Sequence, residues 1–307
     1  MKPLSLIGLG LAAAGVCAGA VVLWGPAGAS PPVPSTCPQR WGGDDIGGWV
    51  PAAADIDGVE ESLVPGSPAQ ALICAYPGDN THAGGERLAG SRTLTDQAAA
   101  MARDLAYLPV TTADTGRACT LMGGPMTNYL IRFAYPDGRA LWVGSAEEIN
   151  HCVRTTNGTA GTSAYTGPAI TTAYKDGVWR PVPPEDPCRG PGDRRGQGEL
   201  MVPGRPGRLT VCRDATYNRP PYRRRHGRDI ARALAATLNS LDTVPSRNRC
   251  QEAGAHERGI RLIFDYPEGP AAAVRISMSC VPAIDNGLLQ ADLNDQVRDQ
   301  VLRLAPS

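Results

Sequence analysis

The chain carries the same cysteine-bearing string twice, and this repetition restricts its fold more than any other feature. Val64-Pro65-Gly66-Ser67-Pro68 begins ten residues before Cys74, and Val202-Pro203-Gly204-Arg205-Pro206 begins ten before Cys212. Cys119 is followed sixteen residues later by Tyr135, within Phe133-Ala134-Tyr135-Pro136-Asp137-Gly138. Cys250 is followed sixteen later by Tyr266, within Phe264-Asp265-Tyr266-Pro267-Glu268-Gly269. The two Phe of the protein, Phe133 and Phe264, therefore hold the same place in each string. A repeat on this scale predicts two units of one architecture.

Each unit reads as strand, helix, β-hairpin, helix. A short apolar strand ends at a Cys (Ala71-Leu72-Ile73 and Leu209-Thr210-Val211). A loop and a helix follow. Leu94, Ala98, Met101, Leu105 and Leu108 recur at helical spacing in the first unit, with Thr93 and Asp96 expected as its cap and Pro109 as its stop. Ile230, Leu234, Leu238 and Leu241 repeat the pattern in the second. Hairpins turn at Asp137-Gly138 and Glu268-Gly269, joining strands at 129–135 and 140–144, and at 261–266 and 272–277. Closing helices are expected over 169–174 and along a stripe of Leu289, Leu293, Val297, Val301 and Leu304. The fold class is α+β, two homologous units each with a small antiparallel sheet stapled by two disulfides. The first unit spans 37–179, a Pro-rich linker 180–187, and the second unit 188–307.

Of nine Cys, Cys17 lies in an apolar N-terminal stretch. The other eight split evenly: Cys37, Cys74, Cys119 and Cys152, then Cys188, Cys212, Cys250 and Cys280. Eight Cys allow 105 pairings, and bonds confined to matching units reduce these to about three schemes. The last two Cys of each unit bracket a hairpin, which brings its own ends together. The expected bonds are Cys37–Cys74 with Cys119–Cys152, and Cys188–Cys212 with Cys250–Cys280. No two of the eight sit close enough to form a zinc knuckle.

Disulfides imply an oxidising compartment, and the N-terminus agrees. Met1-Lys2 precedes an uncharged apolar run from Leu4 to Trp24, then Ala27-Gly28-Ala29 in the small-x-small form of a signal-peptidase site. Segment 1–29 is read as a signal peptide or a retained N-terminal anchor, and 30–36 as a Pro-rich spacer. Either choice exports the rest of the chain. Lipidation at Cys17 is disfavoured by the bulk of Val16.

Site chemistry is sparse. Lys+Arg 30 balance Asp+Glu 30, so no global field draws the chain to nucleic acid or an anionic membrane. Catalytic-elbow, zinc-protease and phosphate-loop motifs are missing, so neither catalytic residues, metal nor cofactor are expected. His82, His151, His226 and His256 read as surface or loop residues, and the acids Asp44, Asp45, Asp55, Asp57, Glu60 and Glu61 as solvated loops. The charge distribution says more. Cys188 to Arg228 holds eleven Arg against Asp193, Glu199 and Asp214, peaking at Arg223-Arg224-Arg225 with Tyr217 and Tyr222 interleaved. Such a run suits an anionic polymer such as nucleic acid or an envelope polyanion, with specific nucleic-acid recognition not expected, or it meets the acidic start of the first unit or is a hydrated loop.

The second candidate is the loop Cys119-Thr120-Leu121-Met122-Gly123-Gly124-Pro125-Met126, apolar and expected to be exposed above a cystine. A Cys-ending strand and a helix, then Cys, loop, strand, D-G hairpin, strand and Cys, resemble the subtilisin-inhibitor family of secreted bacterial proteins. That resemblance implies a protease-facing loop directly after Cys119, with Leu121 near the reactive bond. The departures are a helix without the family's Cys and the polar Gln251-Glu252-Ala253 in the second unit. C-T-L-M-G-G-P before N-Y-L-I also resembles exported cysteine-repeat proteins of high-GC Gram-positive bacteria, a resemblance that implies no activity. The expected function is a non-catalytic extracellular or envelope interaction module, with a protein or envelope polyanion as partner through Leu121, Met122 and Met126, or Arg223, Arg224 and Arg225. The alternatives are a protease inhibitor and an extracellular enzyme without a familiar motif.

Overall fold

A computed structural model describes residues 35–112, 122–180, 186–188, 200–213, 221–246 and 259–305. The protein is α+β, with two antiparallel sheets and four helices among the described residues. The first half runs β1 (Gln70–Asp79), β2 (Gly90–Leu94), α1 (Ala98–Ala106), β3 (Pro125–Ala134), β4 (Ala140–Glu148), β5 (Thr155–Thr156), β6 (Gly161–Thr162) and α2 (Gly167–Asp176). The second runs β7 (Arg208–Arg213), β8 (Tyr222–His226), α3 (Arg228–Asn239), β9 (Val244–Pro245), β10 (Gly259–Asp265), β11 (Ala272–Ser277), β12 (Ile284–Asp285), β13 (Leu289–Ala291) and α4 (Asp295–Leu304). Strand order is β2-β1-β3-β4-β5-β6 in one sheet and β8-β7-β10-β11-β12-β13-β9 in the other. The second sheet thus repeats the order of the first and adds β9 at its far edge. Among the described residues no helix is long and apolar enough to cross a membrane.

The alternation of side chains along a strand gives each sheet two different faces. Ala71, Ile73, Tyr129, Ile131, Phe133, Leu141 and Val143 face Met101, Leu105 and Ile170 of the helices in the first core. Leu209, Val211, Leu262, Phe264, Val274 and Ile276 face Leu234, Leu238, Val297 and Val301 in the second. The opposite face of the first sheet is sealed separately. Trp41, Cys74, Tyr76, Leu130 and Trp142 form a small third cluster, completed by the strap of residues before β1. Trp41 stands edge-on to Trp49 at 5.3 Å, and the Tyr76 hydroxyl donates to Pro38 O at 2.8 Å.

Bonds Cys37–Cys74 and Cys188–Cys212 tie each β1-like strand to the segment before it. Cys152 and Cys280 are also disulfide-bonded. Their expected partners, Cys119 and Cys250, lie outside the described residues, as do Leu121, Tyr217, His256 and segment 1–29.

Three local details recur in both halves. Gly66 and Gly204 each take a positive φ, 72° and 69°, closing the turn after Val-Pro. The phenol of Tyr135 donates to Pro65 O, and that of Tyr266 to Pro203 O, fastening the hairpin to that turn. The side-chain amide of Asn157 donates to Val59 O (2.7 Å) and Ser62 O (3.0 Å), and that of Asn286 to Met201 O (3.0 Å).

Several sequence expectations are corrected. Thr93 and Leu94 do not begin a helix: they pair with Leu72 and Ala71 as part of β2, and α1 starts at Ala98 after Gln97 with no side-chain cap. β1 continues past Cys74 to Asp79, and β4 past Gly144 to Glu148. Ile230 sits in α3 but is 40% exposed, the buried stripe there being Ala231, Leu234, Ala235 and Leu238. The closing stripe of the second half is broken: Leu289 belongs to β13, and α4 begins only at Asp295, where Asn294 accepts from Val297 N.

Candidate functional site

The loop entering β3 is held by side chains from two other places in the first sheet. β1 ends at Asp79, so Asn80 lies beside the antiparallel start of β3, where Asp79 pairs with Pro125. Asn80 N donates to Gly124 O, and Gly124 N donates to Asn80 Oδ1 at 2.8 Å. The same side chain donates from Nδ2 to Met122 O at 2.9 Å. From the far end of β4, Asn150 donates to Met122 O at 2.9 Å and accepts from Met122 N at 3.2 Å. Both polar main-chain groups of Met122 are therefore engaged, while its side chain is 52% exposed. Ile149, 47% exposed, lies alongside, with its side chain placed where a Cβ on Gly124 would touch it.

A buried carboxylate organises this clamp. Glu148 is 3% exposed; Oε1 accepts from Cys152 N at 2.6 Å, and Oε2 accepts from Asn150 N at 2.7 Å and Asn80 Nδ2 at 3.3 Å. The turn that follows is wound tightly around it. His151 has φ 54°, and its ring stacks on Tyr165 at 4.3 Å. Tyr165 donates to Glu148 O, and burial pushes its phenol up to about 12. His151 therefore orders a turn, beside a Cys152 that is already in a disulfide. The turn before Cys280 is built differently, since Tyr266 to Cys280 is three residues shorter than Tyr135 to Cys152.

Met126 departs from its sequence reading. It is 3% exposed within β3, because Pro125 already pairs with Asp79 and the next residue falls on a covered face. Among the described residues, the exposed apolar surface of this loop is Met122 with Ile149, and the clamping residues Asn80, Glu148 and Asn150 carry no sequence signal of their own.

Arg223, Arg224 and Arg225 form an edge strand. They lie in β8 opposite Cys212, Val211 and Thr210, all three exposed. A strand with three consecutive charges survives here because only one side of it is paired and neither face is deeply covered. Arg223 reaches Asp186 at 3.4 Å. At the end of β8, burial and then the nearby Arg224 charge hold His226 below the ordinary imidazole value. The folded protein therefore binds fewer protons there than the unfolded chain. Stability from this group is complete above about 6.5 and is lost as pH falls through that value toward the lowered folded one. Thermal melts between neutral and mildly acid pH should show a decline that His226→Gln flattens; an unchanged slope would remove His226 from the account.

A cleft of about 620 Å3 opens where Pro65-Gly66 meets Pro203-Gly204. Its charged lining residue, Arg103, is paired with Glu268 at 3.2 Å, so it reads as the seam between the halves. The acids Asp44, Asp45, Asp55, Asp57, Glu60 and Glu61 are exposed, as expected. Among the described residues no group of three His, Cys, Asp or Glu is placed to hold a metal. No protein-family model matches the chain, and no curated protein or solved structure matches it.

Proposed function

We propose that the protein is a non-catalytic, exported interaction module built from two copies of one unit, and that its principal recognition element is the Met122–Ile149 corner. The observation that carries this is the combination of an exposed apolar side chain with a main chain bonded at both its N–H and C=O. A preordered apolar anchor loses little entropy on docking, which is the usual economy of a binding hot spot. Disulfides in both halves suit an extracellular setting. The shared strand order and the paired Tyr and Asn contacts support the duplication. Photo-crosslinking from position 149 against the producing cell's envelope and medium should capture a discrete partner. Met122→Asp should weaken that partner's affinity about thirtyfold, or ~2 kcal/mol. Affinity unchanged by Met122→Asp would refute the assignment.

The same clamp favours one second reading, a protease inhibitor acting through the loop after Cys119. A main chain fixed in this way resists the rearrangement that follows cleavage. Stoichiometric inhibition of a subtilisin-like protease, lost in Leu121→Gly, is the expected result, and a blank across a protease panel eliminates it.

A further inference from the structure

The turn between β5 and β6 is built on an Asn-Gly pair and needs both residues. Gly158 takes φ 88°, a region that only glycine occupies without strain. A Cβ added there would also lie 2.6 Å from Cγ2 of Val50, in the strap before β1. Asn157 is bonded at both ends of its amide. Nδ2 donates to Val59 O and Ser62 O, and Oδ1 accepts from Thr159 N and Ala160 N. Asp at 157 would lose the donated bonds, and any residue with a Cβ at 158 would crowd the strap. The fold therefore imposes Asn-Gly at this place.

The same pair is chemically reactive toward itself. The backbone nitrogen of the glycine, unhindered by a side chain, can attack the asparagine Cγ. The new N–Cγ bond displaces the amide nitrogen, which takes up the glycine's amide proton and leaves as ammonia. Water then opens the cyclic imide to aspartate or isoaspartate. The folded turn withholds both partners of the first step. Gly158 N donates to Thr156 Oγ1 at 3.0 Å, and that hydroxyl is itself fixed by donating to Ala160 O at 2.8 Å. The amide that must rotate to meet the attack is 1% exposed and held at both ends. Reaction requires the turn to open first.

We infer that Asn157-Gly158 is a latent self-modification site, gated by opening of the β5–β6 turn, and that its reaction prevents the turn from closing again. An aspartate formed at position 157 turns a carboxylate toward the carbonyls of Val59 and Ser62, in a segment that already carries the exposed acids Glu60 and Glu61. An isoaspartate adds a carbon to the backbone of a turn whose every bond depends on its present length. Either product undocks the segment before β1. The modification thus records the time that this turn has spent open, and it removes the chains in which it has occurred from the folded population.

The test is peptide mapping of the oxidised full chain, held in warm, mildly alkaline buffer with and without denaturing urea, to read aspartate and isoaspartate at position 157. Conversion in the folded chain should be at least about a hundredfold slower than in urea, as expected of a turn whose opening breaks several side-chain bonds at once. Urea below the unfolding transition should already raise the folded rate. Thr156→Val leaves the Gly158 N–H without its acceptor and should raise the folded rate about tenfold, with the rate in denaturing urea unchanged. Converted chains, separated by their added negative charge, should melt below unconverted ones. Equal rates with and without denaturing urea, or a wild-type rate that stays flat below the transition, overturn the gating. A melting temperature unaltered by conversion means that the turn closes again, and it overturns the inference as well.

Discussion

Asn157→Ala should lower unfolding free energy by about 4 kcal/mol, the largest loss expected of any single polar substitution in the first half. Asn157 is 1% exposed and uses its whole side chain. Nδ2 donates to Val59 O and Ser62 O, while Oδ1 accepts from Thr159 N at 2.9 Å and Ala160 N at 2.8 Å. One residue therefore shapes the β5–β6 turn and docks the segment before β1 onto it. Truncation removes these bonds, each about 1 kcal/mol net, and strands buried carbonyls and N–H groups at a further cost of about 1–3 kcal/mol. Asn157→Asp separates the contributions: the acceptors survive, but a carboxylate would face two carbonyls, so a comparable loss is expected. Asn286→Ala should cost about 3 kcal/mol by the same logic, since its Oδ1 accepts from Leu288 N and Leu289 N and its amide holds Met201 O. Urea denaturation with unchanged m-value would measure both. A loss under about 1 kcal/mol at Asn286 would count against the two halves being copies.

Glu148→Gln is expected to cost about 3–4 kcal/mol and to disable the Met122 corner together. The carboxylate receives three N–H groups and is almost fully buried. Bonds to a charged acceptor contribute about 1.5–3 kcal/mol each. An amide in its place presents a donor to at least one donor, either Cys152 N or Asn150 N. Asn150 then loses its orientation and Met122 its fixed main chain. Amide exchange should accelerate at Met122 and Gly124 but not in β7 or β10, and partner affinity should fall about as far as in Met122→Asp. Faster exchange with full affinity would mean that the clamp stabilises the loop without serving recognition.

The sequence shows what is local or doubled. The Val-Pro-Gly turns, the Tyr-Pro-Asp/Glu-Gly hairpins and the interiors of α1 and α3 follow from spacing, whereas Cys37–Cys74 and Cys188–Cys212 belong to one of about three matched schemes that the structure decides between. β2 and β8 escape because Gly90–Leu94 and Tyr222–His226 are exposed edge strands and carry no apolar alternation. The two- and three-residue strands around Asn157-Gly158 and Asn286-Gly287 are too short for periodicity, although each Asn-Gly pair is a hairpin signal. The clamp is invisible for a different reason. Asn80 and Asn150 meet over Met122 only because β1, β3 and β4 run antiparallel and end together, and no linear spacing encodes that meeting.

β8 has one more consequence. It is the outermost strand of its sheet, and an outermost strand offers a row of unused backbone groups to any other chain that can extend alongside it. In the first half the corresponding edge, β2, is short and is fastened down by Arg92, which donates to Tyr174 O and Lys175 O at the end of α2. In the second half the three arginines stand guard themselves: a second copy arriving strand to strand would bring like charges into register. The same residues thereby disfavour edge-to-edge pairing of one copy with another.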